Sequence, residues 1–274
     1  MEIGILLPVI GDLSTHGTEG KVAIDLAVME FDEYLDEQGA QWDLKAVFED
    51  SATNPAIALE KLQAFNAKGI NVIVGPQSSG EVRNIKGYAD SNGMILISPS
   101  STAPALAIEG DNVFRLIPDD TKQAPAIKEL MLSRDITTVV PIWRADAWGE
   151  GLHDKTKESF EAEDGVFDEG IRYNPETAEF STEASIRADK VQSYIDEGKD
   201  AGEIGVFVIS FAEIVPIMQS ASQYPVLEDV RWFGSDGNTK EQQLVDDPIG
   251  RAFSESVMFE TTQVAASDMR FTKT

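Results

Sequence analysis

Apolar residues fall into short unbroken runs along this chain, and between the runs they recur at helical spacing. The first run, "IGILLPV", leads into the loop "IGDLSTHGTEG" and then to Ile24, Ala27, Phe31 and Leu35 on one face, with Asp25, Glu30, Asp32 and Glu33 elsewhere. A period of three to four residues marks an amphipathic helix. "LKAVFE" alternates as a strand does. Asn54-Pro55 then supplies an N-cap and a proline at the first helical position, ahead of a helix carrying Leu59, Leu62 and Phe65 and stopping at Gly69. "INVIVG" predicts a strand, Ser79–Asn92 a helix with Val82, Ile85 and Ala89 aligned, and "MILIS" another strand. Strands that are apolar almost throughout, alternating with helices, predict a parallel sheet covered by helices on both faces.

The pattern restarts after "VFRLIPDDTKQ". A helix over Pro125–Arg134 leads to the strand "TTVVPIW", a helix over Gly149–Ala162 to "GVFDEGIRY", and a helix over Thr182–Glu197 to "IGVFVIS". A last helix over Glu213–Gln223 precedes "VRWFG". The fold class is therefore α/β with two lobes, each a mainly parallel sheet flanked by helices. Residues 1–118 form lobe I, 119–256 lobe II, and 257–274 a crossover back towards lobe I. No Gly/Ser-rich linker intervenes, so the connection near Ile117-Pro118 reads as short and hinge-like.

Composition narrows the function. With 274 residues, 42% hydrophobic and 26% charged, the chain has the make-up of a soluble globular protein. Its 48 acids against 22 bases give a net charge of −26, which repels a nucleic-acid backbone. The acids are scattered, as a solvated surface requires. Cysteine is absent, which excludes disulfides, thiolate metal sites and cysteine nucleophiles. "MEIGILLPVIGD" lacks the basic n-region of a signal peptide and reads as the first strand of a mature domain.

Two strands end in serine clusters, "VGPQSSG" at 74–80 and "ISPSSTAP" at 97–104. In such sheets ligands bind outside the carboxyl ends of the strands, and a helix starting near Ser79 offers free N–H groups to an anion. Simple N-capping by Ser78 or Ser79, and a plain turn for the second cluster, remain open. The enzyme readings are weak. "GPQSSG" lacks the nucleophile-elbow spacing, no phosphate-loop or dinucleotide fingerprint occurs, and the chain has two histidines, His16 in a loop and His153 on a helix face read as solvent-exposed. No metal or cofactor is expected.

The ordered succession "IGILLPVIGDLSTHG", "EDSATNP", "VIVGPQSSG", "ILISPSSTAP", "FRLIPDD", "WGEG" and "FGSDG" resembles the type I periplasmic binding protein family, nearest to its Leu/Ile/Val-binding branch. The resemblance covers essentially the whole chain. It implies a two-lobe periplasmic binding protein-like I fold with the ligand cleft between lobes, no catalysis, an ABC permease as membrane partner and an extracytoplasmic location. The small-molecule ligand would be an amino acid, an amide or a urea-like compound. A ligand-sensing ectodomain of the same fold is the alternative. By similarity, Ser79 holds the ligand carboxylate, Thr102 adds its hydroxyl and N–H, Ser100 offers its carbonyl to the ammonium and Asp236 is the counter-ion. Trp148 covers the ligand from lobe II, with Phe211 at the same rim. Ser78 and Ser101 complete the serine clusters.

Three departures stand out. His16 occupies a position where tyrosine is common among branched-chain binders, and Gln77 one that tends to be apolar. Both point towards a more polar ligand than leucine. The chain also stops at "SDMRFTKT", where the family continues with helices that complete the first lobe.

Overall fold

Two parallel sheets organise residues 1–264, the part of the chain that the computed structural model describes. The first lobe runs β1 (Glu2–Leu7), α1 (Ser14–Glu37), β2 (Lys45–Asp50), α2 (Pro55–Ala67), β3 (Val72–Val74), α3 (Ser79–Ser91), β4 (Ile95–Ser98) and β5 (Val113–Arg115). The second runs α4 (Asp120–Leu132), β6 (Thr138–Arg144), α5 (Ala147–Glu161), β7 (Val166–Phe167), β8 (Ile171–Tyr173), α6 (Ser181–Asp196), β9 (Ile204–Ile209) and α7 (Ile214–Ala221). It ends with α8 (Pro225–Glu228), β10 (Arg231–Phe233), α9 (Gln242–Asp246) and α10 (Pro248–Ser256).

The strand order of the first sheet is β2-β1-β3-β4-β5 and that of the second is β10-β9-β6-β7, with β8 also paired to β6. Every pairing is parallel. Each order reverses direction once, between β1 and β3 in the first sheet and between β6 and β9 in the second. Loops leaving the sheet at such a switch point diverge and open a crevice. Both crevices face the junction of the lobes.

The core follows the apolar runs. Leu6, Leu62, Phe65, Ile73, Ile85 and Leu96 pack between the first sheet and helices α2 and α3. The second sheet is covered on both faces. Val140, Val206, Val208 and Trp232 pack on one side, and Val139, Phe160, Phe207 and Ile209 on the other.

Four sequence expectations are corrected. The helix placed at Pro125–Arg134 begins at Asp120 and carries Pro125 within it, because Asp119 caps it by accepting from the Thr121 N–H at 3.1 Å. "GVFDEGIRY" is two strands, not one. Gly170 turns the chain at φ +61°, and Asp168 Oδ1 accepts its N–H at 2.7 Å. His153 is buried, stacked on Trp143 with ring centroids 3.8 Å apart. The apolar face assigned to α1 is only partly covered: Leu35 is buried, while Phe31 is exposed, as are Val22, Leu26 and Met29 on the same helix.

The lobes touch across the cleft. Ala212 N–H donates to the Asp12 carbonyl at 3.2 Å, and Thr15 Oγ1 donates to Glu241 Oε1 at 2.8 Å. After α10 the chain joins the edge of the second sheet, where Glu260 bridges Phe233, and returns to the cleft at Gln263 and Val264. The rest of the expected crossover, 265–274, lies outside the described residues.

Candidate functional site

A cavity of about 420 Å³ lies between the two switch points. His16 reaches it from the first turn of α1, after β1. Gln77, Ser78 and Ser79 come from the loop after β3, and Ser100 and Thr102 from the loop after β4. From the second lobe come Trp148 after β6, Phe211 after β9 and Asp236 after β10. Nine of the ten residues singled out in the sequence thus border one space. The tenth, Ser101, sits behind it, 1% exposed, sharing a 2.9 Å hydrogen bond with Ser79 Oγ.

The serine clusters brace one another. Ser79 Oγ accepts the N–H groups of Thr102 at 3.2 Å and Ala103 at 3.1 Å. A hydroxyl has two lone pairs and one proton, so with Ser101 as third partner its capacity is used within the protein. Ser78 is the N-cap of α3 and forms a capping box with Glu81. Ser100 Oγ donates to the Gln77 carbonyl at 3.1 Å. Together these bonds fix the β3 and β4 loops to each other, with the first turn of α3 at the cavity edge.

The second-lobe wall is aromatic. Trp148 and Phe211 stack with centroids 4.5 Å apart and planes 9° from parallel. The Arg144 guanidinium covers the far face of that stack, 4.3 Å from the Phe211 centroid. Asp146 sets Trp148 in place by capping α5, accepting from the N–H groups of Trp148 at 3.0 Å and Gly149 at 2.9 Å. Gly237 lies against the Trp148 indole so closely that a Cβ there would collide with it.

Asp236 is joined by an acid that the sequence reading passed over. Asp120, at the start of α4, is fully buried, and neither carboxylate oxygen has a well-formed hydrogen bond among the described residues, although the Thr102 side chain lies near enough to favour its charged form. Its backbone N–H donates to the Thr102 carbonyl at 3.0 Å, which ties it to the second serine cluster. Burial, reinforced by the Asp236 charge, pushes the Asp120 carboxyl up to about 8. Burial also raises Asp236, against the pull of Gln123 Nε2, which donates to Asp236 Oδ1 at 2.9 Å. Among the described residues no lysine or arginine lines this cavity. The signal that could have found Asp120 is its place just after a cap residue, one turn ahead of Gln123.

A second group of acids sits at the other side of the cleft. Arg144, 4% exposed, meets Asp146 at 2.7 Å, Asp12 of the first lobe at 3.5 Å, and Glu213 in a short ion pair. Against the cost of burial, Glu213 and Asp146 hold the guanidinium charged, with its pKa raised. Among the described residues no cluster of three or more histidines and acids is arranged to hold a metal ion.

Comparison with known proteins agrees with the fold. The receptor family ligand binding region matches residues 19–270. An uncharacterised protein of Methanocaldococcus jannaschii is 33% identical over 260 residues, covering 92% of this chain and 60% of that protein. The Leu/Ile/Val-binding protein BraC3 of Rhizobium johnstonii is 29% identical over 164 residues, covering 58% of this chain and 44% of the relative. This chain therefore spans about half the length of the curated relatives it matches. In fold it is similar to the leucine-binding protein LivK of Thermotoga maritima, with a TM-score of 0.74 and 18% identity over 91% of this chain and 67% of that one.

Proposed function

The chain belongs to the receptor ligand-binding region family of type I periplasmic binding proteins, and from that premise we propose that its cleft captures a small ligand bearing an ammonium group. An amino acid or close analogue is the natural class. One observation carries this reading: the half-buried Asp236 stands on the wall of a cavity that, among the described residues, no lysine or arginine lines, and the buried Asp120 lies near enough to feel its charge. A buried carboxylate is tolerated when it is paired or protonated, and a ligand ammonium supplies the missing partner. The first turn of α3 faces the ligand carboxylate, since its N–H groups and helix dipole favour an anion. Ser100 and Thr102 frame that end, and the stacked Trp148 and Phe211 close it from the second lobe.

Capture of this kind serves an ABC permease in the membrane, with the binding protein on the extracytoplasmic side and no catalytic step. Among the described residues no helix is long and apolar enough to cross a membrane. The division at residues 118 and 256, with closure about the chain near Ile117–Asp119, belongs to the same reading. Calorimetry with amino acids tests it. A charge-assisted hydrogen bond contributes roughly 1.5–3 kcal/mol, so Asp236→Ala weakens binding by about tenfold or more. Equal affinity of wild type and variant refutes the assignment.

A further inference from the structure

The first-lobe wall of the cavity carries polar atoms that lack partners among the described residues. Gln77 Nε2 donates to the His16 carbonyl at 3.2 Å, which fixes the amide with Oε1 as a pure acceptor. That oxygen is buried and has no partner, and so is His16 Nε2. The third polar side chain on this wall is Glu19. Its carboxylate lies 4.0 Å from His16 Nδ1 with its side chain 65% exposed. Gln77 itself is 7% exposed. Gln77 and Glu19 therefore bring acceptor oxygens to one wall, beside an imidazole nitrogen of His16 that has no partner of its own among the described residues.

A branched aliphatic side chain placed here leaves Gln77 Oε1 and His16 Nε2 buried without partners. An anionic side chain adds repulsion from Glu19 and Asp236. A side chain ending in N–H groups answers Gln77 Oε1, and also His16 Nε2 in the tautomer whose proton sits on Nδ1. We propose that the ligand carries, beyond its ammonium end, a second N–H-bearing group, a carboxamide or a basic nitrogen, bound by Gln77 and His16. This rests on the reading of the cleft as an amino-acid-type site. It makes Gln77 the residue that sets specificity. A carboxamide needs only Gln77 and His16, whereas a basic nitrogen also draws on Glu19.

The test is calorimetry on the full-length protein with glutamine, ornithine, leucine and glutamate, which differ chiefly in the side-chain end. Glutamine or ornithine is expected to bind at least tenfold more tightly than leucine and glutamate. Glutamine in the lead identifies a carboxamide, and ornithine in the lead a basic group. Gln77→Leu keeps the volume and removes the acceptor, and should shrink that preference at least tenfold while ligand-free thermal unfolding stays cooperative. If Gln77→Leu does not fold, His16→Phe reads the same contrast. Leucine binding as tightly as glutamine and ornithine overturns the inference and leaves amino-acid capture standing. No binding by any of the four overturns capture, and the inference with it.

Discussion

Two sets of acids face the same cleft, each with one buried member, Glu213 in the first and Asp120 in the second, and they differ in their counter-ions. Asp12, Asp146 and Glu213 surround one guanidinium, Arg144, which also stacks on Phe211. Asp120 and Asp236 make no ion pair among the described residues: Gln123 donates to Asp236, while Arg115 and His16 act on the two acids only from a distance. In the first set the chain supplies its own counter-ion and joins the two lobes by it. In the second no ion pair forms, and burial drives both carboxyls towards the protonated state, as it also raises Glu213 in the first set to about 7 against the pull of Arg144. A chain that can satisfy three acids around Arg144 has the means to satisfy two more. The pair left open is best understood as half of an interaction whose other half arrives with the ligand.

Breaking the closed set should have the largest effect. Arg144→Met strands the buried Glu213 carboxylate, and removing one partner of a buried pair costs about 3–5 kcal/mol. Denaturant unfolding should show a loss of that size, together with weakened binding, because Phe211 loses the support of its far face. A loss under about 1 kcal/mol would mean that the two sets do not differ in the way described.

Breaking the open set should act on binding, with stability nearly untouched. Asp236→Ala is expected to lower affinity about tenfold or more, from the roughly 1.5–3 kcal/mol of a charge-assisted bond. Asp120→Asn should weaken an ammonium ligand comparably while making the ligand-free protein no less stable at pH 8. The sign follows from linkage. The Asp120 carboxyl titrates near 8 in the fold and at about 3.9 when unfolded. Its contribution to stability is full below about pH 4 and is lost as pH rises through 8. The neutral amide removes that loss. Chemical denaturation at pH 5 and pH 8, with and without the substitution, measures it.

The smallest effect belongs to the brace behind the cavity. Ser101→Ala removes a single neutral hydrogen bond to Ser79 and should cost about 0.5–1.5 kcal/mol of stability, with affinity changing only a few-fold. A loss of binding as large as that of Asp236→Ala would place Ser101 in ligand contact rather than behind it.

How far the sequence alone reached depends on the kind of signal. Continuous apolar runs such as Ile204–Ile209 identify buried parallel strands, and the ends of those strands located the two serine clusters, whereas Asp236 was supplied by the family resemblance. Three-residue β5 has too few positions for any period to show. Its place is set by register, with Ile97 opposite Phe114. Pro125 hid the first turn of α4, and with it Asp120, because a proline was read as a start where Asp119 provides the cap. Hydrogen-bond partners were beyond the sequence. The Ser79 hydroxyl was expected to face a ligand, and its engagement with Thr102, Ala103 and Ser101 depends on how two loops meet in space. The stacking of His153 on Trp143 likewise depends on the packing of α5 against β6.

The central claim is that the Asp120–Asp236 pair receives a ligand ammonium, and the proton it gives up is the most direct witness. With Asp120 titrating near 8, an ammonium entering at pH 7 must displace a proton. Affinity should then rise by about tenfold per pH unit up to pH 8 and level off above it. Calorimetry with the tightest-binding amino acid at pH 7, in two buffers of different ionisation enthalpy, counts that proton. The account predicts release of roughly one proton per ligand bound, reduced towards zero in Asp120→Asn. Tight binding with no proton exchange in the wild type would contradict it.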